Sequence, residues 1–333
     1  MKHFTWRRAL PLLLALWMLP GLLGCSGTTG LKTVRLSEVT HSVFYAAQYI
    51  AIENGYFAEE GLQVELTNAG GADKAMTALL SKTADIALMG PEASVYVYNE
   101  GREDYARVVG QLTACDGAFI IGREPIEPFS LEALRGKSII GGRAGGMPLM
   151  DLEYALRKAG LEPGVDLTVL DHVQFNLMAG AFAGGEGDFT TLFEPTATEF
   201  ENAGSGYVLG SVGALAGPMP ATCYQVTGET LKKDAATVEK FLRALYKGQK
   251  FVAENEAETV AKALAKQFPD TDLAVLTRVV ERYREIGAFA TNPVLEREPY
   301  DRLLDAIEQA GELKARPPYE DLIDNTLAKK AVE

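Results

Sequence analysis

"DIALMGPEAS" (85–94) and "DFTTLFEPTAT" (188–198) follow one plan. In each, an Asp opens a short apolar run, and the run ends where a Glu and a Pro meet small residues suited to a helix start. Asp85 precedes Gly101 by sixteen positions, and Asp188 precedes Gly204 by the same sixteen. A short apolar run bounded by turn residues reads as a buried strand. The echo therefore predicts one strand-turn-helix unit built twice, with Glu92 and Glu194 at equivalent strand ends.

The flanking sequence extends both units. "TVRLSEV" (33–39) reads as a strand and "SVFYAAQYIAIEN" (42–54) as a helix, capped by Thr40 or Ser42 and ended by Gly55. "LQVELTN" (62–68) is the next strand and "ADKAMTALLSKT" (72–83) the next helix, ahead of the run at 85–90 and a short helix from Glu92. The pattern restarts after residue 137 with "SIIGG", a helix over 147–160, "DLTVLDHV", "FNLMAGAFAGG" and "DFTTLFE". Strands alternating with helices imply a mostly parallel sheet covered on both faces. Two α/β units thus lie in tandem, joined near 114–124, with a return through 219–228. Beyond 229 the chain reads as helical, and Val238, Phe241, Leu242, Leu245 and Val252 fall on one face at helical spacing.

At 333 residues and 47% hydrophobic content, the chain can bury one large or two medium cores. A net charge of −13 argues against nucleic acid, which needs a basic stripe. "MKHFTWRR" followed by "ALPLLLALWMLPGLL" and "GCSGTTG" has the basic, apolar and small-residue zones of a secretory signal. The apolar run falls short of the roughly 20 residues of a membrane span, and Pro11 and Pro20 interrupt it. Residues 1–24 are expected to be a signal peptide and 25–32 a tether. The other two cysteines, Cys115 and Cys223, sit in apolar settings and are read as buried free thiols.

Enzyme motifs are missing from the sequence. There are three histidines, one of them in the signal, and no H-E-x-x-H, C-x-x-C, G-x-S-x-G or phosphate-loop pattern. "GGRAGG" (141–146) lacks dinucleotide spacing, and no nucleophile has an adjacent base. No catalytic residue, metal ligand or cofactor is therefore expected. What remains is a set of polar strand-to-helix junctions, where open α/β sheets hold ligands and exposed helix-start N–H groups meet them. These are Thr40-His41-Ser42, Gly70-Gly71, Gly90-Pro91-Glu92, the stretch 143–147 with Arg143, Gly145 and Met147, Phe175-Asn176 and Glu194-Pro195. Glu92 and Glu194 are expected to face each other's unit across a shared cleft. Arg143 reads as a rim residue and His172 as structural.

Several segments in this order carry a resemblance: "FYAAQYIAIENGYFAEEGLQVEL", "MTALLSKTADIALMGPEA", "LRGKSIIGGRAGGMPLMDLEYALRKAGL" and "AGAFAGGEGDFTTLFEPTATEFENAG". Together they resemble the nitrate/sulfonate/taurine and thiamine-pyrimidine-precursor family of solute-binding proteins, over residues 33–330. Leu22-Leu23-Gly24-Cys25 is similar to the bacterial lipobox, which implies a lipid on Cys25.

The resemblance implies a periplasmic-binding-protein type II fold, with two α/β lobes around a hinged ligand cleft. The lobes would be 31–114 plus 224–330, and 115–223. It implies a monomer that delivers a small molecule to the permease and ATPase subunits of an ABC importer. The protein would be held by its lipid at the outer face of the cytoplasmic membrane, or in the periplasm. The ligand positions it implies are Thr40, His41, Ser42, Tyr45, Gly71, Gly90, Glu92, Thr113, Gly145, Met147, Phe175, Asn176 and Glu194.

"THS" (40–42) is similar to the "NH" after the first strand of pyrimidine-precursor binders, although Glu38 stands where those carry a Trp. Two carboxylates and the rings of Tyr45, Phe175 and Phe193 suit a neutral or weakly cationic heterocycle, such as a thiamine pyrimidine precursor. The alternatives are a sulfonate, taurine or nitrate binder, and a pyrimidine-synthesising enzyme of the same fold. The fungal enzymes carry a cysteine-rich segment, which this chain lacks.

Overall fold

The computed structural model describes residues 30–333; the expected signal peptide and Cys25 lie outside the described residues. Two five-stranded mixed sheets organise the chain. The first contains β1 (Lys32–Glu38), β2 (Leu62–Asn68), β3 (Ile86–Met89), β4 (Ala106–Gln111) and β10 (Cys223–Thr227). Their spatial order is β2-β1-β3-β10-β4. The second contains β5 (Ala118–Gly122), β6 (Ser138–Ile140), β7 (Thr168–Leu170), β8 (Phe189–Phe193) and β9 (Tyr207–Ser211). Its order, β7-β6-β8-β5-β9, is the same topology with β6, β7 and β8 in the places of β1, β2 and β3.

The sequence echo has a structural cause. Asp85, just before β3, accepts a hydrogen bond from the Arg35 backbone N–H at 2.9 Å, and its own N–H donates to Arg35 O at 2.8 Å. Asp188, just before β8, accepts from the Ser138 backbone N–H at 2.8 Å and donates to Ser138 O at 3.0 Å. Each Asp pins the start of its strand to the neighbouring parallel strand, fifty residues earlier in both cases. An ionised acceptor strengthens that bond, so the two positions are used alike.

The segments read as connections are themselves strands. β5 lies within 114–124 and β10 within 219–228, and each runs antiparallel in the interior of its sheet. Four strands of each sheet run in one direction, as the alternation predicts, and β10 or β5 alone runs against them. Every residue of β5 and of β10 is buried. A fully buried strand of five residues shows no alternation to mark it.

Helix boundaries follow local chemistry. Ser42 Oγ accepts from Phe44 N at 3.2 Å and so starts the first helical segment, and Gly55, at φ 76°, ends it. The long helix Gly228–Glu254 buries Val238, Phe241, Leu242, Leu245 and Val252 and packs against the first sheet. The helix Leu273–Glu285 reaches across to the helix Thr196–Asn202, and Arg297–Gln309 packs on Met147–Lys158. One continuous apolar cluster runs from Leu36, Ile50 and Phe241 through Tyr283 to Phe119, Phe182 and Leu192. Cys115 and Cys223 are free buried thiols. Among the described residues, no helix is long and apolar enough to cross a membrane.

Candidate functional site

A cleft of about 580 Å³ opens between the two sheets. Its wall is built from the carboxyl ends of the parallel strands and the turns that follow them. After β1 come Thr40, Ser42, Phe44 and Tyr45; after β2, Asn68, Gly71 and Lys74; after β3, Gly90 and Glu92. The second sheet supplies Arg143, Gly146 and Met147 after β6, Gln174, Phe175 and Asn176 beyond β7, and Thr191 and Phe193 of β8. Asp116 and Thr222 close the base, one from each segment that passes between the sheets. Thr40, Ser42, Tyr45, Gly71, Gly90, Glu92, Met147, Phe175 and Asn176 all face the cavity.

Glu92 is the most unusual of these. It lies in the first turn of the helix Glu92–Asn99, is 5% exposed, and its Oε2 has no hydrogen-bond partner. Burial pushes its carboxyl up to about 8, against which the N–H groups of Glu92 and Ala93 pull only in part. The carboxyl folds back over Gly90, where a Cβ would sit 1.9 Å from Oε2. Only glycine at 90 leaves that seat open. Gln225 holds the turn by donating to the carbonyls of Met89 at 3.2 Å and Gly90 at 3.0 Å.

Four expected positions lie outside the cavity lining, each for a visible reason. Glu194 caps its own helix, accepting from Thr198 N and Thr198 Oγ1 at 2.9 Å each. Arg282, from the helix Leu273–Glu285, donates to it at 3.1 Å, so this carboxylate faces a cation of its own chain and not Glu92. Burial still pushes the Glu194 carboxyl above its ordinary range. His41 donates from Nδ1 to Glu38 at 2.9 Å and from Nε2 to the Gln267 carbonyl at 3.0 Å, and it stacks on Phe268. Two acceptors favour the doubly protonated ring, and the bond to Glu38 raises its pKa against the opposing effect of burial. Thr113 shares a 2.8 Å hydrogen bond with Thr222 and ties the two passing segments together. Gly145 turns its carbonyl to the Tyr96 hydroxyl at 3.3 Å, leaving its neighbour Gly146 at the cavity.

Sequence reading missed two carboxyls. Asp116, 2% exposed, lines the base and accepts from Ala118 N at 2.8 Å. Asp151, 0% exposed, lies one turn beyond Met147, and neither of its oxygens has a partner. Burial raises both groups, and the charges of Asp116 and Glu92 raise Asp151 further. The signal was present: Asp151 shares the i, i+4 stripe of Met147 and Ala155, the buried face of its helix. Among the described residues, no three acidic, His or Cys side chains are arranged to hold a metal. Aromatic rings also line the cavity, with Phe175 and Phe193 centred 5.2 Å apart and Phe44 5.9 Å from Phe193. Lys74 and Arg143 also border the cavity, Arg143 lying 3.9 Å from Asp73 and more than half exposed.

This architecture has close structural relatives. The ligand-binding component of an ABC-type import system from Staphylococcus aureus, solved with zinc bound, superposes with a TM-score of 0.72 at 15% identity, over 90% of this chain and 99% of that one. The alkanesulfonate-binding protein SsuA from Xanthomonas axonopodis pv. citri, bound to MOPS, gives 0.68 at 17% identity, over 88% and 98%. The fold is that of the periplasmic binding proteins. In sequence, YtlA of Bacillus subtilis (strain 168), named as a candidate binding protein, is 38% identical over 316 residues, 95% of each chain. Residues 43–259 match the family described as NMT1/THI5 like. The chain belongs to the NMT1/THI5-like family.

Proposed function

We propose that this chain is the extracytoplasmic solute-binding component of an ABC importer and not an enzyme. Its lobes, 31–114 plus 224–330 and 115–223, close over a small nitrogen heterocycle, with a thiamine pyrimidine precursor as the leading ligand. It hands the ligand to permease and ATPase subunits as a monomer, tethered by a lipid on Cys25. The observation that carries the ligand class is the buried Glu92 carboxyl, which lines the cleft with an unpartnered oxygen. A ring N–H or amine satisfies that acceptor, which an anion without N–H or O–H groups cannot do. Phe175, Phe193 and Tyr45 supply faces for the ring.

A second reading has its own observation. Arg143 and Lys74 border the same cavity, and a sulfonate or nitrate lying at the mouth would meet them. A thermal-shift panel separates the two. A ligand at about 100 times its dissociation constant adds roughly 2.7 kcal/mol, so aminopyrimidines should raise the melting temperature while taurine, alkanesulfonates and nitrate do not. Stabilisation by the anions alone contradicts the heterocycle. The anchor has a separate test: Cys25→Ala should move the protein from the membrane to the soluble fraction, and detergent-dependent association of that variant contradicts lipidation.

A further inference from the structure

Glu92, Asp116 and Asp151 come from three elements at or near the cleft: the start of the helix Glu92–Asn99, the segment before β5, and the helix Met147–Lys158. Glu92 and Asp116 line the cavity, and Asp151 lies behind Met147, which lines it too. All three are at least nineteen-twentieths buried, and Glu92 Oε2 and both Asp151 oxygens are unpartnered. The charges of Asp116 and Glu92 act on Asp151. The other titratable groups around them are Tyr45, Tyr96, Cys115, Cys223 and Tyr283, and burial raises each, so all five stay neutral near pH 7. The nearby cations do not compensate: Lys74 and Arg143 border the cavity, and Arg143 is drawn to Asp73. Buried carboxyls without a countercharge hold their protons. With no cation in the cleft, Glu92 and Asp151 therefore hold their protons near neutral pH, and Asp116, pushed up to about 7, is partly protonated there.

We propose that the cleft exchanges a proton for an organic cation: a ligand with one positive charge on nitrogen seats it between Glu92 and Asp116, and a carboxyl proton leaves to solvent. The balance is one ammonium or amidinium in, one O–H bond broken, and one proton out, with the new carboxylate held by the ligand's N–H groups. This rests on the reading of the cleft as a solute site and adds the charge of the solute. An organic cation fits better than a metal ion, because the described residues offer no ligand set for one. Proton release makes affinity depend on pH. Below the carboxyl's pKa, which burial has pushed up to about 8 for Glu92, binding should tighten by up to about tenfold per pH unit.

The probe is benzamidinium, charged throughout this range, against benzamide, its neutral near-isostere. Titration calorimetry of the mature chain at pH 6, 7 and 8, in two buffers of different ionisation enthalpy, reads affinity and proton count together. The expected result is benzamidinium binding that strengthens with pH, with a buffer-dependent heat showing net proton release, and weaker or no benzamide binding. Glu92→Gln and Asp116→Asn, each checked for cooperative unfolding and a melting temperature no lower than the parent's at pH 6, should abolish the pH dependence. Equal binding of benzamide, an affinity flat from pH 6 to 8, a heat independent of buffer, or no benzamidinium binding overturns the proposal. Benzamidinium binding with the full pH dependence, but no response to any aminopyrimidine, removes the heterocycle reading and leaves this one standing.

Discussion

Glu92 and Glu194 look interchangeable in sequence, and the fold separates them. What distinguishes them is Arg282, 88 residues away in the chain, which no local pattern connects to Glu194. His41 is similar: its partners include the Gln267 carbonyl, 226 residues away. Glu92's place on the cavity wall follows from its position just beyond the buried strand β3. Asp116 and Asp151 were overlooked because one lies in a segment read only as a connection and the other within a helix, away from the strand-to-helix junctions. The raised Glu92 pKa has a stability consequence with a definite sign. The folded state binds more protons than the unfolded one between the unfolded value of about 4.3 and about 8, so stability falls as pH rises through that window. The unliganded chain should melt higher at pH 5.5 than at pH 8. Glu92→Gln should recover on the order of 5 kcal/mol at pH 8, at about 1.4 kcal/mol per pKa unit over the interval from about 4.3 to about 8, in urea unfolding; no gain there contradicts a protonated Glu92. His41→Gln should cost about 2 kcal/mol through its two hydrogen bonds, and most of that cost should vanish once pH exceeds the raised His41 pKa. The same variant should leave aminopyrimidine affinity unchanged, because His41 is not part of the cavity wall.

Among the elements, the duplicated unit was readable because Asp85 and Asp188 do the same work at the same register. Each ties its strand to a parallel neighbour through that neighbour's backbone N–H. Asp188→Ala should destabilise the chain by about 1–2 kcal/mol, within the range for hydrogen bonds to a charged acceptor, and Asp85→Ala similarly. An effect on only one of the two, measured by urea midpoint, contradicts the equivalence. β5 and β10 escaped the pattern because they are short, buried on both faces and flanked by connecting residues, so length and composition alone do not separate them from linkers. Gly90 is the element-level counterpart of Glu92, since the turn after β3 leaves room for the carboxyl only without a Cβ. Gly90→Ala should therefore lose ligand affinity as Glu92→Ala does, and the double variant should be no weaker than either. Additive losses would place the two residues in separate roles.

At the scale of the molecule, two sheets of one topology face each other, and their carboxyl ends share a single cavity. Links between them run through Ser42 Oγ to the Glu194 carbonyl, Tyr96 to the Gly145 carbonyl, and Arg282 to Glu194. Residues foreseen as ligand contacts, Glu194 and Gly145 among them, thus serve to hold the walls of the cavity together. The alternation of strands and helices was enough to foresee two α/β units; their mutual placement depends on side chains far apart in sequence. The central claim is that this cavity binds a small nitrogen heterocycle through Glu92. A calorimetric titration of the mature chain with a 4-aminopyrimidine, run beside the Glu92→Gln variant, tests it most directly. Saturable one-to-one binding by the wild type, weakened at least about tenfold (1.4 kcal/mol) in a variant that remains folded, is the predicted result. Equal affinity in the two proteins, or binding of alkanesulfonates with none of the pyrimidine, would contradict it.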